Sequence, residues 1–258
     1  MITPLGEGVG KNFSAILRGE SGVTGTTDPR ITQSALTAGI IPEEVYVNVR
    51  ERLGARAKSL TRTEILTCGC LKSLIRSLPQ ELQTALGNGR TGIVAATAKG
   101  NISALEGRCG SGHFIPSDDD KVLFPSMARC ISEFSGVREP DIRIISNACI
   151  SGVSAIVAAR RMLLVGDYDM VIVVGADTQN RFITSGFASF KSLSPELCRP
   201  YDESRCGLNL GEAAGAMALT SMPVRWSCGL DGESGYMTID GGAVSDDANH
   251  ISGPSRTV

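Results

Sequence analysis

Histidine is almost missing from this 258-residue chain, which holds only His113 and His250. The two are far apart, and no Cys-x-x-Cys pair accompanies them; the nearest cysteines, Cys68 and Cys70, are separated by one residue. A structural zinc needs closely spaced pairs of nitrogen and sulfur ligands, so no metal is expected, nor any other cofactor. No uninterrupted apolar run reaches the roughly 18 residues of a spanning helix. Residues 1–7 have neither the basic start nor the apolar centre of a secretion signal. The expectation is a cytoplasmic protein with no membrane partner. A charge excess is lacking too: 25 Lys and Arg face 27 Asp and Glu, a net charge of −2. Bulk electrostatics therefore give no reason to expect nucleic acid. Internal repeats and low-complexity tracts are absent as well.

What is present is an ordinary globular composition, 42% hydrophobic and 20% charged, with no shift that marks an internal boundary. Residues 1–258 read as one domain, long enough to bury roughly 70% of its unfolded surface. Of its eight cysteines, Cys109, Cys130, Cys149, Cys198, Cys206 and Cys228 join the pair above. Without a secretion signal they are expected to be reduced thiols.

Periodicity places elements along the chain. Residues 11–18 have helical spacing and stop at Gly19. Residues 30–60 read as irregular and loop-rich. Thr61 or Thr63 can cap a helix to about Ser77, before Pro79. Residues 91–97 read as a buried strand and Pro125 to Phe134 as a helix. Asp141 to Ser146 is β-branched and reads as a buried strand; Ser151 to Val165 is helical and ends at Gly166. Met170 to Val174 is a continuous apolar run, as for a strand covered on both faces. Residues 212–220 read as another buried strand. The sum is an α/β fold: layered helices around a mixed, mainly parallel sheet.

Cys149 lies between the 141–146 strand and the 151–165 helix. Reactive groups in α/β sheets gather at the carboxyl ends of strands. A helix N-terminus supplies partial positive charge and free N–H groups, which favour a thiolate and can hold an oxyanion. Position alone leaves two readings open, a nucleophile or a small buried hydrophobe of the kind most free cysteines are.

Several motifs then bear on the choice. Asn147-Ala148-Cys149-Ile150-Ser151-Gly152 resembles the active-site turn of β-ketoacyl synthases. Met1 to Gly6 is similar to that family's opening, and Leu17 to Val23 to its next signature. Ser185 to Ser194 resembles its Gly-Gly-Phe…Ala-Leu-Ser segment. Arg199-Pro200-Tyr201-Asp202 with Arg205-Cys206-Gly207 is similar to its Arg-Pro-aromatic-Asp-x-x-Arg-Asp-Gly run. Gly211 to Gly215 resembles its Gly-Glu-Gly-Ala-Gly, and Ser245 to His250 its Ser-Ser-Asp-Ala-aromatic-His. The motifs fall in the family's order from end to end, and their spacing favours the elongating synthases.

The resemblance implies the N-terminal half of a thiolase-like fold and a homodimer. Cys149 would take an acyl group from a carrier thioester for decarboxylative condensation with a malonyl-carrier, in fatty-acid or polyketide synthesis. The partner implied is an acyl carrier protein bearing phosphopantetheine-linked acyl and malonyl groups. The family's two other catalytic residues are histidines of its C-terminal half, and this chain stops at Val258. The family's opening strand precedes the segment matched by Met1. The chain is therefore expected to be truncated at both ends, to lack a strand inside the sheet, and to have no condensing activity alone. A catalytically inactive synthase-like fragment or partner subunit is the alternative function.

Further residues divide between site and scaffold. Phe187, Phe190 and Ser252 are candidates for substrate binding, although core packing serves equally for the two rings. Arg56, Lys58 and Arg62 lie in a basic stretch, residues 50–62, that could dock an acidic carrier; Lys191 aligns with a family basic residue near the pocket entrance. A solvated loop explains the basic stretch equally well. Arg199, Asp202 and Arg205 read as a structural ion-pair loop, and Asp118 to Asp120 as an exposed acidic turn. Ile150, Cys206 and Leu208 depart from the family pattern.

Overall fold

The computed structural model describes residues 1–106, 120–221 and 237–246. The chain starts with a tight hairpin, β1 (Ile2–Thr3) and β2 (Gly6–Glu7), followed by α1 (Val9–Leu17). Strands β3 (Thr24–Thr26) and β4 (Leu36–Gly39) precede α2 (Glu43–Leu53) and a 3-10 turn over Ala55–Ser59. The loop-rich reading of residues 30–60 is thereby corrected. Glu43 and Glu44 start α2, Gly54 ends it, and Tyr46, Val49 and Leu53 form its buried face. A helical apolar stripe was present there, diluted by charged residues.

Next come α3 (Arg62–Ser77), α4 (Gln80–Ala85), β5 (Thr91–Ala96) and α5 (Phe124–Ser135). Thr61 caps α3 by accepting from Glu64 N, while the Glu64 carboxylate accepts from Thr61 N, a reciprocal capping box. After these follow β6 (Asp141–Ile145), α6 (Ser151–Val165), β7 (Met170–Asp177), α7 (Arg181–Ser189), β8 (Leu210–Gly211) and β9 (Ala213–Thr220). Gly166 ends α6 at φ 87°, a left-handed conformation that glycine adopts without steric cost.

Two sheets result, one of six strands in the order β2-β1-β9-β7-β5-β6 and one of three, β3-β4-β8. β5 pairs in parallel with β6 and β7, whereas β9 runs antiparallel to β7 over eight residue pairs. The unit β6–α6–β7 is thus a parallel crossover that spans β5. Alternation of side chains along β5 and β7 builds a core on each face. Ile93, Ala95, Ile172 and Val174 pack with Leu71 of α3 and with Met127 and Ile131 of α5. Val94, Ala96, Val171 and Val173 pack with Ala155, Ala159 and Met162 of α6.

Two expectations about strands change. β7 lies between β9 and β5, as a strand covered on both faces should; the edge at that end is β6, which is half-buried rather than buried. β9 is only partly covered. The sheet is continuous from β9 to β6, and beyond β9 the two-residue strand β1 joins it through the single pair Ile2↔Ala214. The 18-residue stretch Ala148–Val165 has a mean hydropathy of 1.7, enough by length and composition to cross a membrane. Here its helix carries Arg160 and Arg161 and lays its small residues on the sheet.

Candidate active site

Cys149 sits on the turn between β6 and α6 and is exposed. Ala148, just before it, has φ 45°, a left-handed conformation that costs a residue with a Cβ about 1 kcal/mol. The turn is held against that strain by its own polar groups. The Ser151 hydroxyl accepts from Asn147 N at 2.8 Å and donates to the Ala148 carbonyl at 2.7 Å. Asn147 Nδ2 donates to Ser154 Oγ at 3.1 Å. Ser146 Oγ donates to the Ala98 carbonyl at 3.2 Å, and the Thr97 carbonyl lies 3.3 Å from Ser151 Oγ. These bonds fasten the turn to the loop that leaves β5. No side chain caps α6 and no acidic residue lies in its first turn, so no carboxylate there offsets the partial positive charge of the helix start, two residues after Cys149.

The other described cysteines differ. Cys68, Cys70 and Cys130 are buried, with Cys68 Sγ 3.6 Å from Cys130 Sγ. Contact with Cys130, then burial, pushes the Cys68 thiol well above its ordinary range, and burial does the same for Cys70. Cys198 is half-buried; Cys206 is exposed, with its sulfur 3.2 Å from Ser194 Oγ.

Beneath the turn lies a polar network that sequence reasoning missed. Asp177, ending β7, accepts from Thr97 Oγ1 at 2.9 Å and from Ala98 N at 2.9 Å. The fully buried Glu212 carboxylate, between β8 and β9, accepts from Ile41 N at 3.0 Å, Tyr46 Oη at 3.1 Å and Gln179 N at 3.0 Å. Arg62 approaches it to 3.6 Å, bonds Glu43, and stacks 3.5 Å over the Tyr46 ring. The available signal was an acidic residue between glycine and an apolar run, Gly211-Glu212-Ala213.

The remaining predicted residues are scattered. Phe187 is half-buried on α7, its carbonyl accepting from Ser192 N and Oγ, while Phe190 is exposed past the helix end. Cavities of about 250 and 370 Å³ open between α2 and α3 and beside α7, and neither is lined by Cys149, Phe187 or Phe190. Arg56 and Lys58 are exposed on the 3-10 turn, and Lys191 is exposed at φ 54°. Arg62 is less available, its charge being committed to Glu43 and Glu212. Ser252, His250, His113, Asp118 and Asp119 lie outside the described residues. Asp120 is buried rather than exposed, and its carboxylate accepts from Val122 N. In the expected ion-pair loop, Asp202 is held by Ser204 instead, and Arg205 donates to the Asp202 carbonyl. Ile150 and Leu208, which depart from the family pattern, are both exposed. Among the described residues no group of three or more His, Cys, Asp and Glu could hold a metal.

A strand, a sharp turn bearing an open thiol, and a helix returning over the sheet are arranged as in the thiolase-like fold. Solved structures share it: a β-ketoacyl synthase from Burkholderia phymatum has a TM-score of 0.65 at 19% identity, covering 85% of this chain and 56% of that one. A ketosynthase complexed with its chain length factor, from Xenorhabdus doucetiae, gives 0.64 at 21%, covering 86% and 56%. The chain belongs to the β-ketoacyl synthase family, whose N-terminal domain model matches residues 1–223. Among curated relatives, a 3-oxoacyl-[acyl-carrier-protein] synthase 2 of Vibrio harveyi is 27% identical across 99% of this chain and 63% of its own length. A putative mitochondrial synthase of Schizosaccharomyces pombe is 26% identical across 98% and 63%. The chain thus spans less than two thirds of these relatives.

Proposed function

We propose that Cys149 is the acyl acceptor of a decarboxylative condensing enzyme of fatty-acid or polyketide synthesis. The observation that carries the reading is the exposed thiol on a braced turn that leads directly into a helix N-terminus without a side-chain cap. In the acceptance step the Cys149 sulfur attacks a thioester carbonyl, a new carbon–sulfur bond forms, and the donor thiol leaves with the proton. The amides at the start of α6 suit the transient oxyanion. The donor is an acyl carrier protein with a phosphopantetheine arm, consistent with relatives named as acyl-carrier-protein synthases. Exposed Arg56, Lys58 and Lys191 supply charge for an acidic partner. Phe187, Phe190 and Ser252 remain candidates for the acyl group and the pantetheine arm. The functional unit is a homodimer, with β6, paired on one side only, available at the sheet edge.

The second reading is a catalytically inactive synthase-like fragment or partner subunit. Acyl transfer separates the two. After incubation with an acyl-carrier thioester, intact mass and peptide mapping should place one acyl group on Cys149, and Cys149→Ser should abolish it. An adduct confined to Cys198 or Cys206, or no adduct, sinks the acyl-acceptor reading.

A further inference from the structure

Two of the buried cysteines face each other across a helix pair. Cys68 lies on α3 and Cys130 on α5, 62 residues apart in sequence, and their sulfurs stand 3.6 Å from one another. The register of the two helices is held at a second point one turn further along each. There the Lys72 ammonium lies over the Phe134 ring, 5.4 Å from its centre. Both sulfurs sit in one apolar cluster with Tyr46, Ile65, Leu66 and Phe134, so close packing limits how far they can drift apart. A disulfide holds its sulfurs about 2.05 Å apart, and closure therefore asks for about 1.5 Å, shared between two side chains.

We propose that Cys68 and Cys130 form a peroxide-driven modification site, closing to an internal disulfide that staples α3 to α5. The inference is independent of the acyl-acceptor reading, because α3 and α5 pack on the opposite face of the sheet from α6. Cys130 is the point of entry, being 8% exposed where Cys68 is 0%. Its thiolate attacks one oxygen of hydrogen peroxide, the oxygen–oxygen bond breaks, and the departing hydroxide takes up a proton to become water. The Cys68 sulfur then attacks the sulfenic sulfur so formed. A sulfur–sulfur bond results, and the sulfenic oxygen leaves as a second water with the Cys68 proton. The pair has given two electrons to the peroxide, and a dithiol reductant returns them. Contact with Cys130, then burial, keeps the Cys68 thiol protonated, which is why the resting pair is inert until the first sulfur has been oxidised.

The test treats the folded chain with hydrogen peroxide, quenches it, blocks free thiols with iodoacetamide in urea, and maps the unreduced digest. A peptide pair joining Cys68 to Cys130 is expected, and dithiothreitol before mapping should remove it. Fragment-ion sequencing of the wild-type pair separates Cys68 from Cys70, two residues away, so the assignment stands even if a variant misfolds. Cys70→Ala should keep the link and Cys130→Ala should lose it. The link closes a long loop in the unfolded chain, and the thermal midpoint of the oxidised protein should rise by roughly 5–15 °C. Recovery of both cysteines in alkylated form, while Cys149 and Cys206 are oxidised, overturns the proposal. So does a link that forms only when peroxide is added in urea, one that joins Cys130 to Cys70 or Cys149 instead, or one that leaves the melt unchanged.

Discussion

Glu212 is the residue on which the join between the two sheets most depends, and its replacement has a calculable cost. The carboxylate is fully buried and accepts from Ile41 N and Tyr46 Oη at the start of α2 and from Gln179 N after β7. Glu212→Ala removes the acceptor and leaves all three donors, plus Arg62, without it. A buried donor left unsatisfied costs about 1–3 kcal/mol, so three of them amount to about 3–9 kcal/mol. Relief of the carboxylate's own desolvation works in the other direction. Tyr46→Phe removes only one donor, and its expected cost is about 1 kcal/mol. Since whole domains are stable by about 5–15 kcal/mol, the alanine variant should be near the edge of folding. Urea titrations followed by far-UV circular dichroism measure both, and the alanine variant should lower the midpoint by about 1 M or more. A change below about 1 kcal/mol for Glu212→Ala, or equal effects of the two variants, refutes the reasoning.

Two further outcomes are expected. The Arg30 guanidinium beside Asp28 holds that carboxyl below the usual range. Its stabilisation is therefore fully present above about pH 4, the unfolded value, and is lost as acid titrates the folded form below it. Asp28→Asn should flatten the fall in stability on that acid limb; an unchanged acid limb in thermal melts at a series of pH values contradicts this. Light scattering over a dilution series should find a dimer or larger species. A stable monomer of 27.1 kDa at high concentration contradicts the proposed homodimer.

The legibility of the sequence was uneven for physical reasons. The helix over 151–165 and its stop at Gly166 could be read because small apolar spacing and a left-handed glycine are local signals. The capping box at Thr61 was equally local. Tyr46, Val49 and Leu53 also repeat at helical spacing, yet five charged residues between Glu43 and Arg52 concealed the helix. Which strand forms the sheet edge was not legible, because edge position is decided by pairing between distant segments, as in Met170↔Thr220. At the site, Cys149 stood out through its turn, whereas Asp177 and Glu212 take their meaning from partners more than thirty residues away. The left-handed Ala148 carries no sequence signature, since alanine adopts that conformation only under constraint from its surroundings.

The place of β9 in the sheet has a consequence for how the protein comes into being. It pairs with β7 along its whole length and receives β1 at Ala214. During synthesis, β1 can therefore join the large sheet only once residue 214 has left the ribosome. Until then β7 keeps a naked, strongly apolar flank, Met170 to Val174, which invites pairing with a neighbouring nascent chain. The unfinished chain is thus at its stickiest just before β9 emerges, and chaperone demand should peak in that interval.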